Sequence, residues 1–194
     1  MTILSAALLL GAGCGDDSDD TGSNPTPSES VDDAGSNDDG ASLGDREITA
    51  LTDQEICDGL SGAEVGAALG LDVTETAVGG SSTAQCVYNY ESESGVTSNV
   101  SVASLASDID LSGRTGDEAF DYVVGLNRGL AGGTDFDEVE PDAGDRAVRF
   151  SGEALHLGVL AVDGHILTVL VPAEDTDGDA VDDLLVAMAD RFGG

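Results

Sequence analysis

The 194-residue chain has no lysine and no tryptophan, and it contains only two histidines, three cysteines and four prolines. Six arginines are its only lysine-or-arginine cations, set against 39 aspartates and glutamates, for a formal net charge of −33. Without lysine, a lysine-assisted serine nucleophile is excluded. The charge argues against DNA, RNA or an anionic membrane surface as a partner, because each would repel it. A solvated acidic surface with an acidic tether accounts for the charge, and such a surface favours cationic partners. The predominance of Asp over Glu and the missing lysine point to a high-GC genome or a salt-adapted host. No apolar run approaches the roughly 20 residues needed to span a bilayer. Hydrophobic residues nevertheless make up 40% of the chain, consistent with one real core.

What is present is most specific near the start. The apolar run Ile3–Leu10 leads through Gly11-Ala12-Gly13 to Cys14, and the composition then turns to Gly15-Asp16-Asp17-Ser18-Asp19-Asp20. An apolar segment, small residues and a cysteine form the signature of a bacterial lipoprotein signal, cleaved before the cysteine, whose thiol and new amine take acyl chains such as palmitate. Gly11 stands where Leu is usual, and Met1-Thr2 lacks the customary basic residue, which points to a start codon further upstream. Two or three acyl chains anchor stably. The expected layout is a signal peptide over 1–13, lipidated Cys14 with an acidic disordered tether over 14–47, and an extracytoplasmic domain over 48–194. The tether is Asp, Ser, Gly, Asn and Pro, too poor in apolar residues to offset the entropy of ordering.

With Cys14 taken by lipid, Cys57 and Cys86 remain as a pair in an oxidising compartment. A bridge would close a loop of about 30 residues, worth roughly 3–4 kcal/mol in the chain-entropy model. A metal site is disfavoured, since His156 and His165 lie far away without zinc-ligand spacing.

The domain is expected to be α+β: a mainly antiparallel sheet of about six strands packed with about three helices. Thr52-Asp53-Gln54-Glu55 and Ser61-Gly62-Ala63-Glu64 are capping boxes opening two short helices that share a joint at Gly59–Ser61. Strand-like runs follow at Asp72–Val78, Ala84–Glu91 and Val96–Leu105, the last with Val100 and Val102 on one face and Asn99 and Ser101 on the other. A third capping box, Thr115-Gly116-Asp117-Glu118, opens a helix carrying Phe120, Val123 and Val124. Arg146–Phe150, Ala154–Val162 and His165–Val171 are strands, the last two joined by an Asp163-Gly164 turn and apolar on both faces, as at the centre of a covered sheet. A final helix spans Ala180–Phe192.

The stretch from Cys57 through Ser61, Glu64 and the Ala-rich segment to Leu69-Gly70, followed by Cys86-Val87-Tyr88, resembles a family of actinobacterial secreted lipoproteins with a domain of unknown function. The family pattern is a cysteine, Ser or Thr, two residues, Glu, and an Ala-rich helix ending in Leu-Gly, then a second Cys two residues before an aromatic. Ile56 replaces the frequent Pro, and Tyr88 the common Trp. The resemblance implies a lipid-anchored extracytoplasmic α+β domain and, by analogy, the Cys57–Cys86 disulfide. It brings no catalytic residues.

Candidate chemistry is sparse. Gly59-Leu60-Ser61-Gly62-Ala63 approaches a nucleophile elbow but lacks the last Gly and follows a helix, so Ser61 is better explained as an N-cap. His156 shares a strand face with Gly158 and Leu160 and is expected to be packed and hydrogen-bonded, and His165 to sit at a strand end. Asp175, Asp177 and Asp179 resemble a calcium loop, but the register puts Ala180 where Gly belongs and Val186 where the bidentate Glu belongs. An acidic cap for the last helix explains them better. No cofactor fingerprint is present. The expectation is a non-enzymatic module binding an envelope protein or small ligand; an envelope hydrolase using carboxylates and an assembly or stabilising factor for a membrane complex are the alternatives.

Overall fold

The two N-terminal capping boxes form as the sequence implies. Helix α1 (Asp53–Gly59) begins where the Thr52 hydroxyl accepts from the Glu55 N–H and the Glu55 carboxylate accepts from the Thr52 N–H. Helix α2 (Gly62–Leu69) repeats the arrangement with Ser61 and Glu64, and ends on Gly70 in the left-handed conformation. The computed structural model describes residues 43–79, 83–105, 111–130 and 136–194. Cys14 and most of the expected tether lie outside them.

Strands β1 (Val73–Val78), β2 (Ala84–Glu91) and β3 (Thr97–Ser104) form an antiparallel meander. Helix α3 (Gly116–Leu130) follows, then β4 (Asp137–Val139), β5 (Arg146–Ser151), β6 (Leu155–Val162), β7 (His165–Pro172) and α4 (Gly178–Phe192). The result is a single α+β domain built on a seven-stranded antiparallel sheet ordered β1-β2-β3-β7-β6-β5-β4. Seven strands and four helices stand where about six and about three were expected. The added strand is β4, three acidic or apolar residues paired with β5, and the N-terminal helices are separate because the backbone at Leu60 is extended.

Asp163 and Gly164 join β6 to β7 with φ of 46° and 80°, the paired left-handed geometry of a tight hairpin turn. The β6 and β7 side chains are buried on both faces almost throughout. On one face α1, α2 and α4 close over Tyr88, Tyr90, Val100, Val102, Leu160 and Val169. Gly158 lets α4 approach: a Cβ there would lie 2.8 Å from Val169 and 2.9 Å from Leu185. On the other face Phe120 and Val123 of α3 pack with Val148, Phe150, Leu157, Val159 and Ile166.

Two expectations need correction. The composition puts the start of the domain at residue 48, but Leu43 is only 1% exposed and belongs to the α3-side core. The Gly116 N–H donates to the Arg46 carbonyl, and the Thr49 N–H to Gly164. Residues 43–47, assigned to the tether, are therefore part of the folded unit. The start of α3 is also different from a capping box. Gly116 has φ of +48°, and a Cβ there would collide with the Gly44 carbonyl. Glycine is needed because the N-terminal segment crosses directly over this residue.

Candidate functional site

Strand β5 places one arginine on each side of the sheet, and each holds a helix. Arg146 reaches Asp117 at 3.2 Å and Asp121 at 3.0 Å on α3, with its guanidinium 4.5 Å from the Phe120 ring centre. Arg149, its side chain 7% exposed, grips Asp182 of α4 through Nε at 2.7 Å and Nη2 at 3.1 Å, and also meets the Ser151 hydroxyl. The remaining arginines are engaged too. Arg46 faces Asp145 and Asp163, Arg128 pairs with Glu138, Arg191 pairs with Glu64, and Arg114 lies 4.2 Å over the Tyr122 ring while donating to the Leu111 carbonyl. Every arginine has a partner within the domain.

The residues singled out for chemistry are held in structural contacts. The Ser61 hydroxyl donates to the Glu64 carboxylate at 2.6 Å, and the Ser61 N–H donates to it at 2.9 Å. These two bonds, helped by Arg191, hold the Glu64 carboxyl down at about 2. Hydrogen bonds from Thr52 likewise lower Glu55. His156 is buried, its Nε2–H donating to the Thr176 carbonyl at 3.2 Å; Nδ1 has no hydrogen-bond partner among the described residues. His165 heads β7 and bonds the Thr49 carbonyl through Nδ1 at 2.8 Å.

The three aspartates considered for calcium have separate tasks. Asp175 accepts from the Tyr90 hydroxyl at 3.0 Å and from the Glu93 N–H at 3.4 Å, tying the loop before α4 to the end of β2. Asp177 is the N-cap of α4, accepting from the Ala180 N–H at 2.9 Å. Asp179 is fully exposed, 4.0 Å from Arg149. Among the described residues no group of three or more His, Cys, Asp or Glu is placed to hold a metal ion.

Cys57 and Cys86 form a disulfide, Cα–Cα 5.2 Å, between α1 and β2. It fixes α1 over the sheet at the point where the Tyr88 hydroxyl donates to the Leu60 carbonyl at 2.8 Å. Burial pushes the Tyr88 phenol well above its ordinary range.

An open groove of about 630 Å³ lies between α2 and β1. Its helical wall is Gly62, Ala63, Gly66 and Ala67, with no side chain longer than a methyl. The glycines bring α2 close: a Cβ on Gly62 would sit 2.7 Å from Thr76 Oγ1, and one on Gly66 would sit 2.6 Å from the Leu71 carbonyl. The opposite wall is β1 from Val73 to Thr76, with Asp72 supplying negative charge at its start and no cation in the lining, while the Glu75 side chain turns to the other face of the sheet and accepts from Asn89 at 3.5 Å. β1 ends the sheet and is bulged between Val73 and Glu75. Its ladder phase follows from Gly79, whose N–H donates to the Gln85 carbonyl. Hydrogen-bonded pairs alternate along an antiparallel ladder, so Ala77 and Glu75 direct their backbone groups toward β2 while Thr76 and Val78 direct theirs outward. Sequence reading missed this groove. The small residues at 62, 63, 66 and 67 were its signal, but which strand they lie against is a tertiary fact.

No protein-family model matches the chain, and neither a characterised protein nor a solved structure shows significant similarity to it. The lipoprotein-family resemblance thus rests on the residues quoted for it.

Proposed function

We propose that this protein is a membrane-anchored extracytoplasmic lipoprotein whose domain binds a partner or small ligand and does not catalyse a reaction. The anchor is argued from the Cys14 signal and the acidic segment after it. The binding reading is supported chiefly by the character of the α2–β1 groove. It offers outward backbone donors and acceptors, space and the Asp72 carboxylate, whereas Ser61, His156 and His165 are bonded to their own neighbours. An anchor followed by a charged segment would present such a domain away from the membrane surface, and repulsion from anionic headgroups would help hold it there.

The test has two arms. Intact mass of membrane-extracted protein should show acyl chains on an N-terminal Cys14, and unmodified protein released to the medium at normal yield would remove the anchor. A deletion strain complemented with His165→Gln or Ser61→Ala should regain its phenotype. Failure of either variant, with an unchanged circular dichroism spectrum, would favour the hydrolase reading.

A further inference from the structure

The two ends of the sheet are built differently, and the difference points to where a partner docks. β4 is three residues long and acidic, is followed by Glu140-Pro141, and carries Glu138 paired to Arg128. Short length, charge and proline are the usual ways of keeping an edge from pairing with another chain. β1 is six residues long and borders the groove under α2. Its Thr76 and Val78 backbones face away from β2, and both side chains are exposed.

We propose that β1 is a strand-addition site that accepts an extended, cationic segment of a partner polypeptide. The proposal rests on the binding reading above and names its site and ligand class. A strand laid along β1 would exchange main-chain hydrogen bonds with Thr76 and Val78, and its alternate side chains would enter the space left by Ala63 and Ala67. Glu75 turns to the other face of the sheet, where it meets the intervening side chains of the added strand and selects for Lys or Arg among them, and the groove lining has no cation to oppose the strand. A second copy of this chain is the poorer occupant, because two chains each carrying −33 repel. The bulge near Thr74 confines pairing to the stretch from Glu75 onward.

The experiment uses the full-length chain at about physiological salt, where surface charges are screened beyond roughly 8 Å. Probes are an octapeptide of alternating Arg and Val, its Glu–Val counterpart, and a blocked peptide with four Arg followed by four Val. Amide hydrogen exchange and peptide anisotropy are the readouts. The alternating Arg–Val peptide should slow exchange at Thr76 and Val78 at least tenfold, and the other two should not. Thr76→Pro removes one outward N–H without touching the bonds to β2, and Ala67→Arg fills the groove from an exposed helical position. Each should weaken binding at least tenfold. Ala67→Arg covers the case in which Thr76→Pro perturbs the strand. Equal binding of the Glu–Val peptide, no protection at β1, or protection arising from dimers without peptide would each overturn the site. Protection elsewhere on the domain would overturn it while leaving the binding reading intact; the rescue experiment decides that reading separately.

Discussion

The two faces of the sheet are closed by different means. The face under α1, α2 and α4 has three helices fixed by two capping boxes, a disulfide and the Arg149–Asp182 pair. The other face has one amphipathic helix, α3, and the short segment from Leu43 that runs beside its start. It is also incomplete. Over β5, β6 and β7 it carries a dry core, but across β1, β2 and β3 it presents Glu75, Thr97 and Asn99 exposed, with Gln85, Asn89 and Ser101 half-buried. One face is therefore a continuous apolar layer, and the other changes along the sheet from core to polar surface. The alternation of β3 shows the same division within one strand: Val100 and Val102 are buried while Thr97 and Asn99 face outward. Stability should accordingly be spread over many helical contacts on the first face and concentrated in a few residues on the second.

The largest effect is expected on the second face. Phe120→Ala removes a fully buried ring that also lies beneath Arg146, and should cost about 3–5 kcal/mol, measured by denaturant unfolding. A loss under about 1 kcal/mol would mean that α3 contributes little and the contrast fails. Replacing Cys57 and Cys86 by Ser should cost roughly 3–4 kcal/mol by the loop-closure argument, or less if α1 remains docked through Leu60 and Tyr88. Leu43→Ala should cost about 2–3 kcal/mol. A chain beginning at residue 43 should retain its melting temperature, whereas one beginning at residue 48 should melt lower.

The smallest effects belong to the helix caps of the first face. Ser61→Ala should cost about 1 kcal/mol. The same cap sets a pH dependence. Glu64 is held at about 2 in the folded domain, against about 4.3 for a free glutamate. Its contribution is therefore complete above the unfolded value and is lost as pH falls from near 4.3 through 2. Unfolding curves collected across that window should show a shallower acid dependence in Ser61→Ala. An unchanged slope would show that other carboxylates dominate acid unfolding.

Much of the fold was legible because local signals and tertiary demands agree. Thr52, Ser61 and the Asp163-Gly164 turn sit where capping and hairpin chemistry place them, and the apolar runs of β6 and β7 correctly announced central strands. The Cys57–Cys86 pair followed from the cysteine count. What escaped had no local signature. β4 is acidic and three residues long, and only pairing with β5 makes it a strand. Leu43 is a lone apolar residue in a polar stretch, and nothing nearby reveals the cavity it fills. The Thr115 motif misled because Gly116 answers to a chain crossing from residues 43–46, not to its own helix. The Arg149 clamp and the α2–β1 groove depend on which elements meet.

The engagement of every arginine bears on resistance to proteolysis. A trypsin-like protease cuts only after lysine or arginine, and this chain offers six such bonds and no lysine. Arg146 and Arg149 lie within a paired strand, Arg128 and Arg191 within helices, and Arg46 and Arg114 in short segments fixed to the domain. Cleavage after Arg149 would require β5 to leave the sheet and release α4, so digestion there would track opening of the domain, not the amount of protease. Scarcity of cationic side chains and their use as internal clamps would together give a domain in which four of the six susceptible bonds lie inside helices or a paired strand.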